Sequence, residues 1–165
     1  MIASPPLVTA DAYRAALSRF ASGVTVVTSR DAQGTDYGMT VSAFASLSLA
    51  PPLVLVCIDQ SATWHGALDE SSHFVVHVLG DDQEDFSRRF ASERQEKFAG
   101  LTLERTASGL LRLPDALSTL ECRITARHRE GDHTIVIGAV EQVELRESSG
   151  DPLLYFRGRY ARLAR

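Results

Sequence analysis

Lysine is almost missing from this chain: of its 17 basic residues only Lys97 is one. It stands in a polar segment, so chemistry through a lysine Schiff base has a single poor candidate. Cysteine is scarce too. Cys57 and Cys122 sit in strand-like apolar runs with no partner nearby, which speaks against a disulfide framework and suits a reducing compartment. No long hydrophobic run is present. The densest, Leu53 to Ile58, is far short of the roughly 20 residues of a membrane helix. "MIASPPLVTADAYR" lacks a positive region followed by a long apolar one, so no signal peptide and a cytoplasmic location are expected. An excess of positive charge is also lacking: the net charge of −4 and pI near 5.7 argue against a nucleic-acid partner. Basic side chains crowd only at Arg127, His128 and Arg129 and at Arg157, Arg159, Arg162 and Arg165.

Several signatures are absent as well. There is no Gly-x-Gly-x-x-Gly after a strand and no Walker loop, so a dinucleotide is not expected to bind in the Rossmann manner. Gly-x-Ser-x-Gly is missing, which removes a nucleophile elbow. His73 and His77 share a strand face, but no further ligand is spaced to join them and no His-Glu-x-x-His occurs; no metal is expected.

What is present fits one domain spanning residues 1–165, within the usual range of about 100–200, and 44% hydrophobic content is enough for a core. Tyr13, Ala16, Leu17 and Phe20 recur at helical spacing and predict an amphipathic helix from about Ala10 to Ala21, stopped at Gly23. "VTVVTSR" and "YGMTVS" flank the turn-forming "DAQGTD" and predict a hairpin. "LVLVCID" (53–59) reads as a strand buried on both faces. "SATWHGALDESS" predicts a short helix, "HFVVHVLG" a strand, and "DDQEDFSRRFASERQEKFAG" one or two helices. "STLECRITARHRE" and "HTIVIGAVEQVELRE" predict two long strands joined by a tight turn at Glu130-Gly131-Asp132. "PLLYFRGRY" predicts a last strand interrupted at Gly158. The order favours a mainly β, closed antiparallel barrel with peripheral helices over a parallel α/β sheet.

Three stretches could carry chemistry. "GMTVSAFASLSLAPP" (38–52) is either a strand with a close-packed connector or a backbone cradle. In the second reading small side chains let peptide N–H groups approach a flat ring, and hydroxyls add donors. "CIDQSATWHG" (57–66) brings Asp59, Ser61 and Thr63 to the rim of the sheet, as helix caps, as an anion site, or both. "EGDHTIVIGAV" (130–140) sets His133 after a turn with Asp132 able to orient it. A lone turn histidine is more often a surface residue. In "YFRGRY", tyrosine faces and guanidinium groups suit either a closing strand or a second, dinucleotide ligand.

"RFASGVTVVTS", "GMTVSAFASLSLAPPLVLVCID", "SATW", "FVVHVL", "RRFAS…EKFAG", "LECRI", "GDHTIVIGAV" and "PLLYFRGRY", in this order over nearly the whole length, resemble the flavin reductase-like family. These are small NAD(P)H:flavin oxidoreductases that serve two-component monooxygenases. The resemblance implies an antiparallel FMN-binding split β-barrel, usually a homodimer, with FMN or FAD in a groove and NADH or NADPH as hydride donor. It assigns Met39, Thr40, Val41, Ser42, Ala43 and Phe44 to the flavin ring, with Ser46 further along the same cradle. Asp59, Gln60 and Ser61 go to the ring edge and ribityl chain, Arg89 and Phe90 to the far end. Gly131, Asp132 and His133 go to the nicotinamide cofactor, with His133 positioning it for catalysis, and Tyr155, Arg157 and Tyr160 to a C-terminal contact region. Relatives often have asparagine where Asp59 stands; a carboxylate there is unfavourable beside an anionic reduced flavin unless compensated. The expected partners are flavin and nicotinamide nucleotides and a flavin-dependent monooxygenase, without nucleic acid or membrane. Three readings compete with a flavin reductase: a barrel holding its flavin permanently to reduce another acceptor, a non-enzymatic flavin-binding electron carrier, and a small barrel that binds single-stranded nucleic acid, against which the acidic pI and the lack of aromatic–basic interleaving outside the C-terminus speak.

Overall fold

The computed structural model describes residues 8–92 and 96–164. It contains three α-helices, α1 (Ala10–Leu17), α2 (Thr63–Glu70) and α3 (Glu84–Ala91). The strands are β1 (Ser22–Gly23), β2 (Thr25–Arg30), β3 (Asp36–Val41), β4 (Phe44–Leu49), β5 (Pro52–Asp59), β6 (His73–Val78), β7 (Glu104–Arg105), β8 (Leu111–Arg112), β9 (Ser118–Glu130), β10 (His133–Leu145), β11 (Leu154–Phe156) and β12 (Arg159–Ala161). A helix in the second half of "DDQEDFSRRFASERQEKFAG" would cross 93–95, outside the described residues.

Seven strands form one sheet in the order β3-β2-β6-β9-β10-β5-β4, every neighbouring pair antiparallel. The antiparallel, mainly β expectation holds; the closed barrel does not. Its two edges, β3 and β4, are consecutive in the chain and joined only by Ser42 and Ala43. A link so short spans on the order of 10 Å, so the sheet must coil until its edges meet at that corner. Beyond it they do not pair, and hydrogen bonding leaves the sheet open.

The strands buried on both faces are β2 and its neighbour β6, not β5. Alternate side chains of a strand point to opposite faces, and Val27 joins a core with Val54, Val56, Ile58, Phe74 and Trp64, while Val26 joins a second core with Leu79, Phe90 and Leu153. The polar residues of β2 are satisfied where they are buried. Thr25 Oγ1 donates to Val41 O at 2.6 Å, Thr28 Oγ1 donates to Leu111 O at 2.7 Å, and Ser29 Oγ accepts from Trp64 Nε1. In β5 only Val54, Val56 and Ile58 are buried; Leu53, Leu55 and Cys57 on the other face are half-buried.

Four further differences have local causes. Helix α1 stops at Leu17, with Ser18 capping, and its apolar face is unburied: Tyr13 and Leu17 remain 60% and 50% exposed, and Phe20 just past its end is exposed too. The presumed connector after Ala43 is the edge strand β4. The loop after α3 contains the small hairpin β7–β8. "YFRGRY" is no interrupted strand but the hairpin β11–β12, because Arg157 and Gly158 both take positive φ (51° and 75°), the backbone of a two-residue turn that matches strand twist. Among the described residues no helix is long and apolar enough to cross a membrane.

Candidate functional site

Residues 38–46 run along β3, round the corner and into β4. Since β3 pairs only with β2 and β4 only with β5, each offers one row of backbone N–H and C=O groups without a strand partner. Among the described residues the hydroxyls of Ser42, Ser46 and Ser48 also have no hydrogen-bond partner within the chain, and Ser42, Ala43 and Ser46 are exposed. This is the chemistry a planar heterocycle needs: peptide donors and acceptors in one direction, small side chains above them. Met39, Thr40 and Phe44 are half-buried beside this edge. Val41 turns its side chain into the first core, so only its main chain faces the cradle.

A second part of the site lies at the same end of the sheet. β4 runs antiparallel to β5, and Cys57 N donates to Ala43 O at 3.0 Å, which puts the corner beside the C-terminal end of β5. Asp59 in turn is opposite His133 across β5 and β10. The loop 59–61 and the turn 131–133 are bonded into one rim. Gln60 N donates to Asp132 O at 2.9 Å, and its side-chain Nε2 donates to His133 O at 2.9 Å. Gly131 has φ +60°, a conformation glycine adopts without a Cβ penalty, and this lets the turn close tightly between Glu130 and His133.

Within the rim, His133 Nδ1 lies 2.7 Å from Asp132 Oδ1. The carboxylate therefore holds a proton on Nδ1 and leaves Nε2 as an acceptor in the neutral ring. Asp59 has a different task from that expected of a ligand. Its Oδ1 accepts from both the hydroxyl and the N–H of Ser61, each at 2.7 Å, and these bonds, aided by the nearby His133, hold its carboxyl below the usual range. It closes the turn ahead of α2, whose first turn has no side-chain cap. Ser61 thus satisfies one oxygen of Asp59 and keeps the carboxyl ionised, so its negative charge stays at the rim.

Helix α3 packs across β3. Thr40 Oγ1 donates to Ser87 O at 2.6 Å, and Phe90 lies against Gly38. Phe90 is no groove contact: at 1% exposure it is a core residue, edge-on to Phe98 with ring centroids 5.2 Å apart. Arg89 is likewise occupied, donating to the carbonyls of Lys97 and Ala99, and so fastens the chain after α3. The C-terminal hairpin is split in its allegiance. Tyr160 Oη lies 2.7 Å from Ser87 Oγ, whereas Arg157 stacks over Phe156, 5.2 Å from its centroid. Tyr155 and Tyr160 meet edge to face at 5.5 Å. Among the described residues no hydrogen bond or ion pair joins this hairpin to the turn that carries His133. Ser87, which ties Thr40 to Tyr160, was not legible in the sequence; one serine on a polar helix carries no signal.

Two concavities flank these elements. The larger, about 770 Å³, is lined by Arg112, Asp115, Glu144 and Arg146 among others, and its guanidiniums are paired with Glu104, Glu144 and Asp82; it does not touch the cradle or the rim. The second, about 630 Å³, lies between α3 and the β11–β12 hairpin. Cys57 and Cys122 are free thiols, and burial pushes Cys122 up to about 12, which leaves it unreactive.

Residues 17–164 match the sequence profile of the flavin reductase like domain. The chain is 44% identical over 153 residues to the reductase component of a 4-hydroxyphenylacetate 3-monooxygenase from Thermus thermophilus, covering 93% of this chain and 96% of that one. It is 42% identical over 153 residues to an FMN reductase (NADH), SmoA, of Agrobacterium fabrum, covering 93% and 86%. Among solved structures, the NADH:FAD oxidoreductase SgcE6 of Streptomyces globisporus, in complex with NAD and FAD fragments, superposes with a TM-score of 0.87 at 34% identity, covering 97% of this chain and 98% of that one.

Proposed function

This chain belongs to the flavin reductase-like family, and on that premise we propose that it transfers hydride from NADH or NADPH to FMN or FAD and supplies reduced flavin to a partner monooxygenase. The named activities of the relatives support the reaction. The observation that carries the site is the meeting of two unpaired strand edges, at Ser42 and Ala43, with a cross-bonded rim at 59–61 and 131–133.

When bound, the flavin accepts hydride at N5 from the nicotinamide C4, chemistry that belongs to the cofactors. The chain's share is placement. The main chain of 39–44 and the hydroxyls of Ser42 and Ser46 hold the isoalloxazine by its polar edge, with Gln60 and Ser61 beside it. His133, fixed by Asp132, directs the nicotinamide onto the exposed face, so that the reacting atoms come within about 3–3.5 Å. No side chain is needed as nucleophile. The fold is read as a single split β-barrel domain working in the cytoplasm as a homodimer. Support for self-association comes from the exposed apolar side chains of β4, with Leu47 and Leu49 at 46% and 91% exposure, a surface that gains by being covered.

Initial rates with NADH and NADPH, crossed with FMN, FAD and riboflavin, test the reaction. Pyridine-nucleotide oxidation that depends on added flavin is expected. Flavin retained through gel filtration, with no turnover of added flavin, would overturn it in favour of a permanently bound cofactor serving another acceptor.

A further inference from the structure

The rim at 59–61 and 131–133 carries a negative charge that no arginine or lysine answers. Asp59 stands half-buried at the C-terminal end of β5. Its Oδ1 takes both bonds from Ser61, each at 2.7 Å, which keep the carboxyl ionised and prevent it from swinging away. Among the described residues no guanidinium or ammonium is bonded to it. The arginines of β9 in this part of the sheet face α2 instead: Arg129 is paired with Asp69 at 3.2 Å, and Arg127 donates to the carbonyls of Leu68 and Ser71. The titratable groups around Asp59 are His133 across β10, His65 on α2 and Asp132 in the turn. His65 Nε2 lies 2.8 Å from Thr134 Oγ1, and Asp132 Oδ1 is taken by His133 Nδ1.

This charge lies close to the cradle. Asp59 follows Cys57 by two residues on β5, so the two side chains point to the same face, and Cys57 N is bonded to Ala43 O at the corner. Two residues of strand span roughly 7 Å, less than the Debye length of about 8 Å at physiological salt. An ion in the cradle therefore feels the carboxylate through space. Hydride transfer changes the ionic state there. The nicotinamide gives up one proton and two electrons and becomes the oxidised pyridinium, and the flavin ring that takes them carries one more negative charge than before. A phosphate on the flavin is the same in both states and cancels from the comparison.

We propose that Asp59 sets the direction of product release: its carboxylate tolerates the neutral ring of oxidised flavin and repels the reduced anion, so that the site lets go of the form it has just made. The proposal rests on the flavin reductase reading and adds to it a determinant of release. A protein that passes reduced flavin on gains by holding it weakly; one that keeps its flavin does not. Repulsion between two unit charges about a Debye length apart at a partly wetted surface is worth a factor on the order of five in a binding constant. Ser61 serves this effect by fixing where the charge stands.

The test is an equilibrium measurement that needs no turnover. Anaerobic ultrafiltration of the full chain with oxidised FMN, and separately with dithionite-reduced FMN, gives a Kd for each form. In Asp59→Asn, whose amide oxygen still accepts from Ser61, the ratio of reduced to oxidised Kd should fall about fivefold, which raises the potential of the bound flavin by about 20 mV for a two-electron couple. Ser61→Ala keeps the charge and loses one of the two bonds, so its ratio should stay within about twofold of the parent chain; this separates charge from mere loosening of the turn. Salt supplies a check on the unaltered chain. Raising it from 0.05 to 0.5 M should lower the ratio by screening and barely move that of Asp59→Asn. A ratio indifferent to Asp59→Asn, moved equally by Ser61→Ala, or insensitive to salt in the unaltered chain overturns the proposal even if the chain reduces flavin. Failure to bind either form of FMN overturns the parent reading and this one with it, whereas the expected shift in a chain that oxidises no NADH or NADPH upholds the role of Asp59 and refutes the reductase.

Discussion

Strands β2 and β4 are both six residues long and belong to the same sheet, yet they have opposite fates. Five residues of β2 are buried, and its threonines and Ser29 all have partners within the fold. None of β4 is buried, and Ser46 and Ser48 have no partner among the described residues. The difference arises from position in the sheet, because β2 has a strand on either side and a core on either face, while β4 has one neighbour. Stability is concentrated where every group is satisfied within the chain. Binding capacity remains where groups are left over, at the edge and the rim.

If that division holds, changes in the interior should cost stability and changes at the rim should not. The largest effect is expected at Gly138 on β10. A Cβ there would come within 2.6 Å of the Phe74 ring and 2.8 Å of Cys122 Cβ, and both neighbours are fully buried. Overpacking of this kind costs about 1–3 kcal/mol or more, and the contact here is at the severe end. Gly138→Val should lose at least about 3 kcal/mol in urea unfolding or fail to accumulate as folded protein; a near-normal midpoint would show the interior to be looser than its burial implies.

His77 gives the next effect. Its Nδ1 donates to Val26 O at 3.0 Å and its Nε2 accepts from Leu113 N–H at 3.1 Å, so the neutral ring is the form both partners require. Burial, the larger cause, and the charge of Arg112 lower its value from 6.5 to about 4. The unfolded chain therefore binds a proton that the folded one refuses. Stability from this group is complete above about pH 6.5 and falls as pH drops toward 4, by about 3 kcal/mol in all. Unfolding free energies measured between pH 7 and 4 should show that slope, and His77→Gln should flatten it while lowering stability at pH 7.

Thr28→Val on β2 is expected to cost about 1 kcal/mol or somewhat more, since it removes one buried hydroxyl and leaves the Leu111 carbonyl without it. The comparison on β4 is Ser46→Ala. It should change stability by less than about 0.5 kcal/mol and weaken flavin binding in a fluorescence titration. Equal losses of stability in the two variants would erase the contrast between the strands.

Much of this division was legible in the sequence. Alternation and β-branched runs marked β2, β3, β5, β6, β9 and β10, and "EGDH" marked the turn that presents His133. What could not be read were long-range facts. "LVLVCID" reads as the strand buried on both faces because its composition is the most apolar, whereas burial on both faces belongs to β6 and to β2, whose threonines are satisfied by partners up to 83 residues away. The same limit applies to Phe90 and Arg89. Their types suit a ligand, but Phe90 fills the space left by Gly38, and Arg89 is occupied by carbonyls eight and ten residues further on. That Asp59 is bonded to Ser61 and closes the turn ahead of α2 was not legible either, because Ser and Asp two residues apart read equally well as ligand donors.

The smallest effect on stability and the most specific effect on function should come from His133→Ala. The ring is half-exposed, and its one side-chain hydrogen bond is to the exposed Asp132, so removing it strips nothing from either core; the rim itself is held by Gln60 on main-chain carbonyls and is unaffected. The melting temperature should therefore move by no more than about a degree or two, as for an exposed substitution. If the imidazole positions the nicotinamide, KM for NAD(P)H should rise or the hydride-transfer rate fall by about tenfold, the worth of one lost polar contact, with flavin affinity nearly intact. Asp132→Asn sharpens the point. It keeps a hydrogen-bonding partner for Nδ1 but removes the charge that fixes the tautomer, so an intermediate loss is expected if orientation is what matters. Loss of flavin affinity in either variant would move His133 into the cradle and unite two parts of the site that the bonding pattern keeps distinct.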